Sequence, residues 1–219
     1  MKNLVLTTLV LVTVLVGLQA SASANLITDP GFENGGSAIA IKDNLADWTW
    51  SGGANGDSFY SPAVAKTGTK SAKVVMWGNA TTDYAYFVKD VTGLEAKPYQ
   101  LSAYFLRNSA ADLKAGSKGQ LQLKWWNASN SLLRQDNSAD FDTSYAADAW
   151  NLISLTSAAA PAAAVKLSAV VALTTASAYT PESAFFVDVL NLEAVPEPMS
   201  LLLLGSGLVG LVGVSRKKK

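Results

Sequence analysis

The chain has no cysteine and no histidine in 219 residues. Without cysteine there is no disulfide framework and no thiol nucleophile, and without histidine the imidazole-based triads are excluded. Phosphate-cradling Gly-Lys-Ser/Thr loops and the Gly-x-Ser-x-Gly elbow are missing too. Two carboxylates would suffice for a glycosidase. The acidic residues, however, are scattered over turn-rich segments, which is the pattern of a solvated surface. Positive charge is also scarce in the body of the chain: between Asn25 and Val195 there are 12 basic and 16 acidic residues, a net −4. A nucleic-acid surface needs concentrated positive charge to displace counterions, so that class of partner is excluded.

Long apolar runs are confined to the two ends. At the start, Lys2 precedes the apolar stretch from Leu4 to Leu18 and then Ala22-Ser23-Ala24. Charged region, apolar region and small-residue cleavage site make a secretory signal, with Asn25 as the first mature residue. At the other end, Pro196, Glu197 and Pro198 precede an apolar run from Met199 to Val214 and the basic cluster Arg216, Lys217, Lys218 and Lys219. A helix of about 16 residues rises roughly 24 Å, short of a bilayer core of about 30 Å. The two prolines keep it from extending upstream. The basic end stays on the cytoplasmic side and the body on the opposite side.

The Pro-Glu-Pro triplet, short apolar helix and basic end, in that order, resemble the sorting signal of PEP-CTERM proteins. The resemblance implies an exosortase as processing partner and transient anchorage in the inner membrane. It further implies delivery to the cell surface or extracellular matrix of a Gram-negative bacterium that makes extracellular polysaccharide. The organisation expected is a signal peptide at 1–24, one domain at 25–194, and a sorting segment at 195–219.

Between the ends, short alternating runs such as "SAKVVMW", "YAYFVKDV", "YQLSAYFL", "QLQLKWW", "WNLISLT", "VKLSAVVAL" and "FFVDVLNL" are separated by clusters of Gly, Pro, Asn, Asp and Ser. About 170 residues of this kind predict a single all-β sandwich or barrel. Pro161 interrupts the Ala-rich "TSAAAPAAAVKL", which reads as a loop entering a strand. The order of "NLITDPGFENG", "DWTW", "GTKSAKV", "VTGLEAKPYQLSAYFLRN" and "AFFVDVLNLE" resembles jelly-roll carbohydrate-binding modules of the family 4, 9 and 22 type, which are galactose-binding-like. The expected fold is a jelly-roll β-sandwich followed by a C-terminal hydrophobic sorting helix.

Two sets of residues carry candidate chemistry. In "FFVDVLNL", Asp188 shares parity with Leu190 and Leu192, which directs a carboxylate toward an apolar face, where it needs compensation. The family resemblance implies structural calcium, with Glu33 and Asp188 as ligands and a backbone contribution near Lys70; hydrogen bonding to backbone is the alternative for Asp188. The second set is aromatic. Alternation in "GQLQLKWWN" places Gln122, Lys124 and Trp126 opposite Leu121, Leu123 and Trp125. The same parity turns Trp77, Tyr84, Tyr86 and Tyr104 outward. Flat rings flanked by amide and amine groups suit the apolar faces and hydroxyls of sugars, so these seven residues are the candidate platform for extracellular polysaccharide. A structural envelope or biofilm-matrix protein acting through protein contacts is the alternative.

Overall fold

The computed structural model describes residues 24–34, 48–53, 56–77, 83–110, 112–175 and 182–196. The signal peptide, the apolar tail, Glu197 and Pro198 lie outside the described residues. Among the described residues ten strands follow one another: β1 (Thr49–Gly52), β2 (Gly56–Ser61), β3 (Ser71–Trp77), β4 (Asp83–Thr92), β5 (Tyr99–Leu106), β6 (Ser117–Trp126), β7 (Leu132–Asn137), β8 (Asn151–Thr156), β9 (Lys166–Thr175) and β10 (Glu182–Ala194). They form two antiparallel five-stranded sheets, in the orders β1-β4-β9-β6-β7 and β2-β3-β10-β5-β8. Ala24–Ala194 is one compact unit. Among the described residues no helix is long and apolar enough to cross a membrane.

Alternation explains the sandwich. Phe87, Leu121, Leu123, Trp125, Val171 and Leu173 point inward from the first sheet and meet Val74, Met76, Leu101, Phe105, Phe185 and Val187 from the second. All are at most 1% exposed, and each large apolar side chain so buried stabilises the fold by roughly 1.5–3 kcal/mol. Phe32, from the opening segment, closes one end of this core by stacking on Trp48 at 5.2 Å and meeting Phe87 edge-on at 5.4 Å.

Three strands carry little of the alternation signal: β1, β2 and β7. Each is an edge strand paired on one side only; β2 is nonetheless largely buried, with the polar Asp57 and Ser58 among its buried residues. β7 reads Leu-Leu-Arg-Gln-Asp-Asn, and its inward positions are polar. Arg134 and Asp136 form an ion pair at 2.9 Å beside Trp125, whose Nε1–H donates to Asp136 at the same distance. Arg134 also donates to the carbonyls of Ala158 and Ala159, which holds the Ala-rich segment as a loop ahead of β9.

The parity expected for the last strand fails at one residue. Val189 has φ 54°, an outlier for a β-branched side chain, and the pairing with β5 shifts register between Asp188 and Asn191. This bulge turns Asp188 away from the face it would share with Leu190 and Leu192. Phe185 and Val187 face the core before the bulge, Leu190 and Leu192 after it, and Asp188 belongs to the outer side. Asn25 spans the irregularity: its amide donates to the Leu190 carbonyl at 2.8 Å and its side-chain oxygen accepts from Leu192 N–H at 2.9 Å.

Candidate functional site: an aromatic cleft on the first sheet

The outer face of the β1-β4-β9-β6-β7 sheet is built in rungs set by the ladder. Val88, Val170 and Gln122 lie side by side on β4, β9 and β6, followed by Asp90, Ser168 and Lys124, with Lys166 and Trp126 on the next rung. With Tyr86, and without the buried Gln122, these residues line a cleft of about 210 Å³. The cleft is smaller than sites that engulf drug-sized molecules, roughly 300–1,000 Å³, so it suits a short stretch of a longer chain.

Its aromatic walls are fixed by hydrogen bonds and cations. Trp126 Nε1–H donates to Ser168 Oγ at 2.9 Å, and Ser168 Oγ–H in turn donates to Asp90 Oδ1. Lys166 Nζ sits 3.1 Å from Asp90 Oδ2 and 5.3 Å from the centre of the Trp126 ring. Lys124 Nζ lies 5.0 Å over the Tyr86 ring, and Tyr84 extends that wall by stacking on Tyr86 with centroids 5.7 Å apart. Burial pushes the Lys124 ammonium below its ordinary value.

Of the seven sequence-predicted platform residues, Tyr84, Tyr86, Gln122, Lys124 and Trp126 share this face; Tyr86, Lys124 and Trp126 line the cleft, while Tyr84 lies beside it and Gln122 is buried. Trp77 and Tyr104 do not join them. They stand on β3 and β5 of the other sheet, where Trp77 is 39% exposed beside Phe59 and Tyr104 lies under Lys66 Nζ. Parity assigned each ring to an outer face correctly but could not tell which sheet that face belonged to. Asp90, Lys166 and Ser168 also line the cleft, and no aromatic ring marks them in the sequence. Their signal was available, because Lys166 and Ser168 alternate with the core residues Leu167 and Ala169, and Asp90 shares the parity of Tyr84 and Tyr86.

The second predicted pair also comes together, around the 66–70 loop. Glu33 accepts from Thr69 N–H at 2.8 Å, Lys70 N–H at 3.0 Å and the Thr69 hydroxyl at 2.7 Å. Asp188, fully buried, accepts from Lys66 N–H at 2.7 Å, Thr67 N–H at 3.0 Å and Val189 N–H at 2.7 Å. Hydrogen bonding, chiefly from the Thr69 hydroxyl, lowers the Glu33 pKa. Desolvation raises that of Asp188, the loop N–H bonds oppose the rise, and the Glu33 charge adds to it. A carboxylate has about four lone-pair sites, so with three bonds each from the described residues the two have one site apiece beyond them. That fits calcium only as one bond apiece, with the rest of its six to eight oxygens coming from backbone carbonyls and water. Among the described residues, no group of three or more acidic, His or Cys side chains gathers at one place.

Comparison with solved structures places the fold among carbohydrate-binding β-sandwiches. A structure described as showing the promiscuous specificity of carbohydrate-binding modules of the β-sandwich superfamily superposes with a TM-score of 0.56 at 16% identity, covering 79% of this chain and 63% of that one. The CBM22-1 xylan-binding domain from Paenibacillus barcinonensis Xyn10C gives 0.54 at 14% identity, covering 82% and 99%. The CBM22-1–GH10 modules of Clostridium thermocellum Xyn10B, complexed with xylohexaose, give 0.53 at 18%, covering 81% and 30%. The chain therefore has the jelly-roll sandwich fold of these modules. A second likeness concerns its end: residues 194–217 match the PEP-CTERM protein-sorting motif. No curated protein matches the chain.

Proposed function

We propose that this is an exported, non-catalytic protein that binds extracellular polysaccharide through the cleft of the first sheet. The observation that carries this reading is Trp126, whose indole is locked by Ser168 with its ring facing a cleft walled on another strand by Tyr86. Rings held in this way offer apolar area without further loss of side-chain freedom, and Lys124 and Lys166 beside them can bond to sugar hydroxyls. Among the described residues Asp90 is the one acidic side chain lining the cleft, and it is bonded to Lys166 and Ser168. A two-carboxylate hydrolysis has no second partner there.

The sorting motif supports export, processing by an exosortase after transient anchorage in the inner membrane, and a surface or matrix destination in a Gram-negative host. Calcium held by Glu33 and Asp188 would neutralise a buried carboxylate and tie the opening segment to β10. Affinity electrophoresis of the detergent-solubilised full chain against soluble polysaccharides tests the main reading. Retardation should be lost in Trp126→Ala and kept in Trp77→Ala, which alters the other sheet. Loss in Trp77→Ala alone would move the site. Concentration-dependent self-association with no retardation by any polysaccharide would favour the matrix-protein alternative.

A further inference from the structure

Among the described residues, one charge in the cleft has no counterion. Asp90 is already committed, with Oδ2 paired to Lys166 and Oδ1 accepting from Ser168. Lys124, beside Ser168 on the same rung, receives from the described residues the Tyr86 ring and no carboxylate. Burial lowers its pKa, and no neighbouring charge contributes to that shift. A ring beneath an ammonium contributes about 0.5–2 kcal/mol, which partly offsets the desolvation of the charged group. The wider context makes this more unusual. The segment between Asn25 and Val195 carries 16 carboxylates against 12 basic groups, yet none of the described carboxylates is set against this lysine. A neutral sugar hydroxyl offers this ammonium only a dipole, whereas an anion also neutralises the desolvated charge.

Resting on the glycan-binding reading above, we propose that the ligand is an acidic polysaccharide, with an anionic sugar substituent meeting Lys124 Nζ while a ring lies against Tyr86 or Trp126. Lysine acts as a point charge without the planar fork of arginine, so a carboxylate and a sulfate ester are served by the same chemistry. Lys166 does not compete for the anion, because Asp90 already neutralises it.

The test is calorimetric titration of the full chain in detergent with five probes: polygalacturonate, its methyl ester, dextran sulfate, dextran, and polyglutamate. Either polygalacturonate or dextran sulfate should bind about tenfold tighter than its uncharged counterpart, as a charge-assisted hydrogen bond requires. Which of the two shows the preference identifies carboxylate or sulfate. Lys124→Met should abolish the preference at unchanged melting temperature, and Lys124→Arg should retain most of it. Binding of neutral and acidic polymers with equal affinity overturns this inference and leaves the glycan reading standing. A preference that survives in Lys124→Met also overturns it. Polyglutamate binding as tightly as the acidic glycans overturns both, as does binding of none of the five.

Discussion

At the scale of single residues, Asp188 shows how a buried charge is maintained without an ion pair. Its two oxygens accept three backbone N–H groups, two from the 66–70 loop and one from Val189. Truncation therefore strands donors as well as removing an acceptor, at about 1–3 kcal/mol for each group left buried and unpaired. Because the loop can partly open to water, Asp188→Ala should cost about 2–3 kcal/mol in total. At roughly 2–4 °C per kcal/mol for a domain of this size, melting followed by circular dichroism should fall by about 5–10 °C. Unchanged melting would mean that the loop is held by other contacts. Glu33, bonded to the same loop but exposed, should have a smaller effect.

At the scale of elements, the 66–70 loop is shaped for these two carboxylates. Gly68 has φ 65°, and a Cβ there would lie 2.2 Å from Glu33 Oε1, so both its backbone conformation and its closeness to Glu33 call for glycine. If calcium uses the remaining site of each carboxylate, it stabilises the folded state by about 2.7 kcal/mol at a hundredfold excess over Kd. Chelator should then lower melting by about 5–10 °C relative to millimolar calcium; equal melting in both would leave the hydrogen-bond clamp as the whole role of the pair. The strands that were legible in the sequence are those whose burial alternates, such as β5 and β8, or is nearly continuous, as in β9. The edge strand β7 was not, because Arg134 and Asp136 occupy its inward positions. The β10 bulge was not legible either: nothing in Val-Asp-Val-Leu announces a positive φ at Val189, and one inserted residue reverses every parity inference across it. The aromatic cleft was legible in part. Parity along one strand finds an outer face, whereas assignment to a sheet depends on pairings between distant segments, which separated Trp77 and Tyr104 from Trp126.

At the scale of the whole molecule, the sorting motif adjoins the sandwich with almost no spacer, since β10 ends at Ala194 and the matched segment begins at that residue. In a host with the matching exosortase, intact-mass measurement of the surface protein should show Arg216 to Lys219 removed, and replacing Pro196-Glu197-Pro198 should leave full-length chain in the inner membrane. Retention of the basic end on mature surface protein would contradict processing. The position of β10 also bears on the order of events. This strand follows the other nine in sequence yet sits in the middle of its sheet, with β3 on one side and β5 on the other, and Asn25 bonds directly to it. During export, the β2-β3 and β5-β8 pairs can form early but have nothing to join them until residues 182–194 have emerged. Closure of the second sheet is therefore timed by the arrival of the segment that leads into the sorting tail. If the tail pauses at the membrane as proposed, the pause would come when the joining strand has just become available, and completion of the fold would coincide with it.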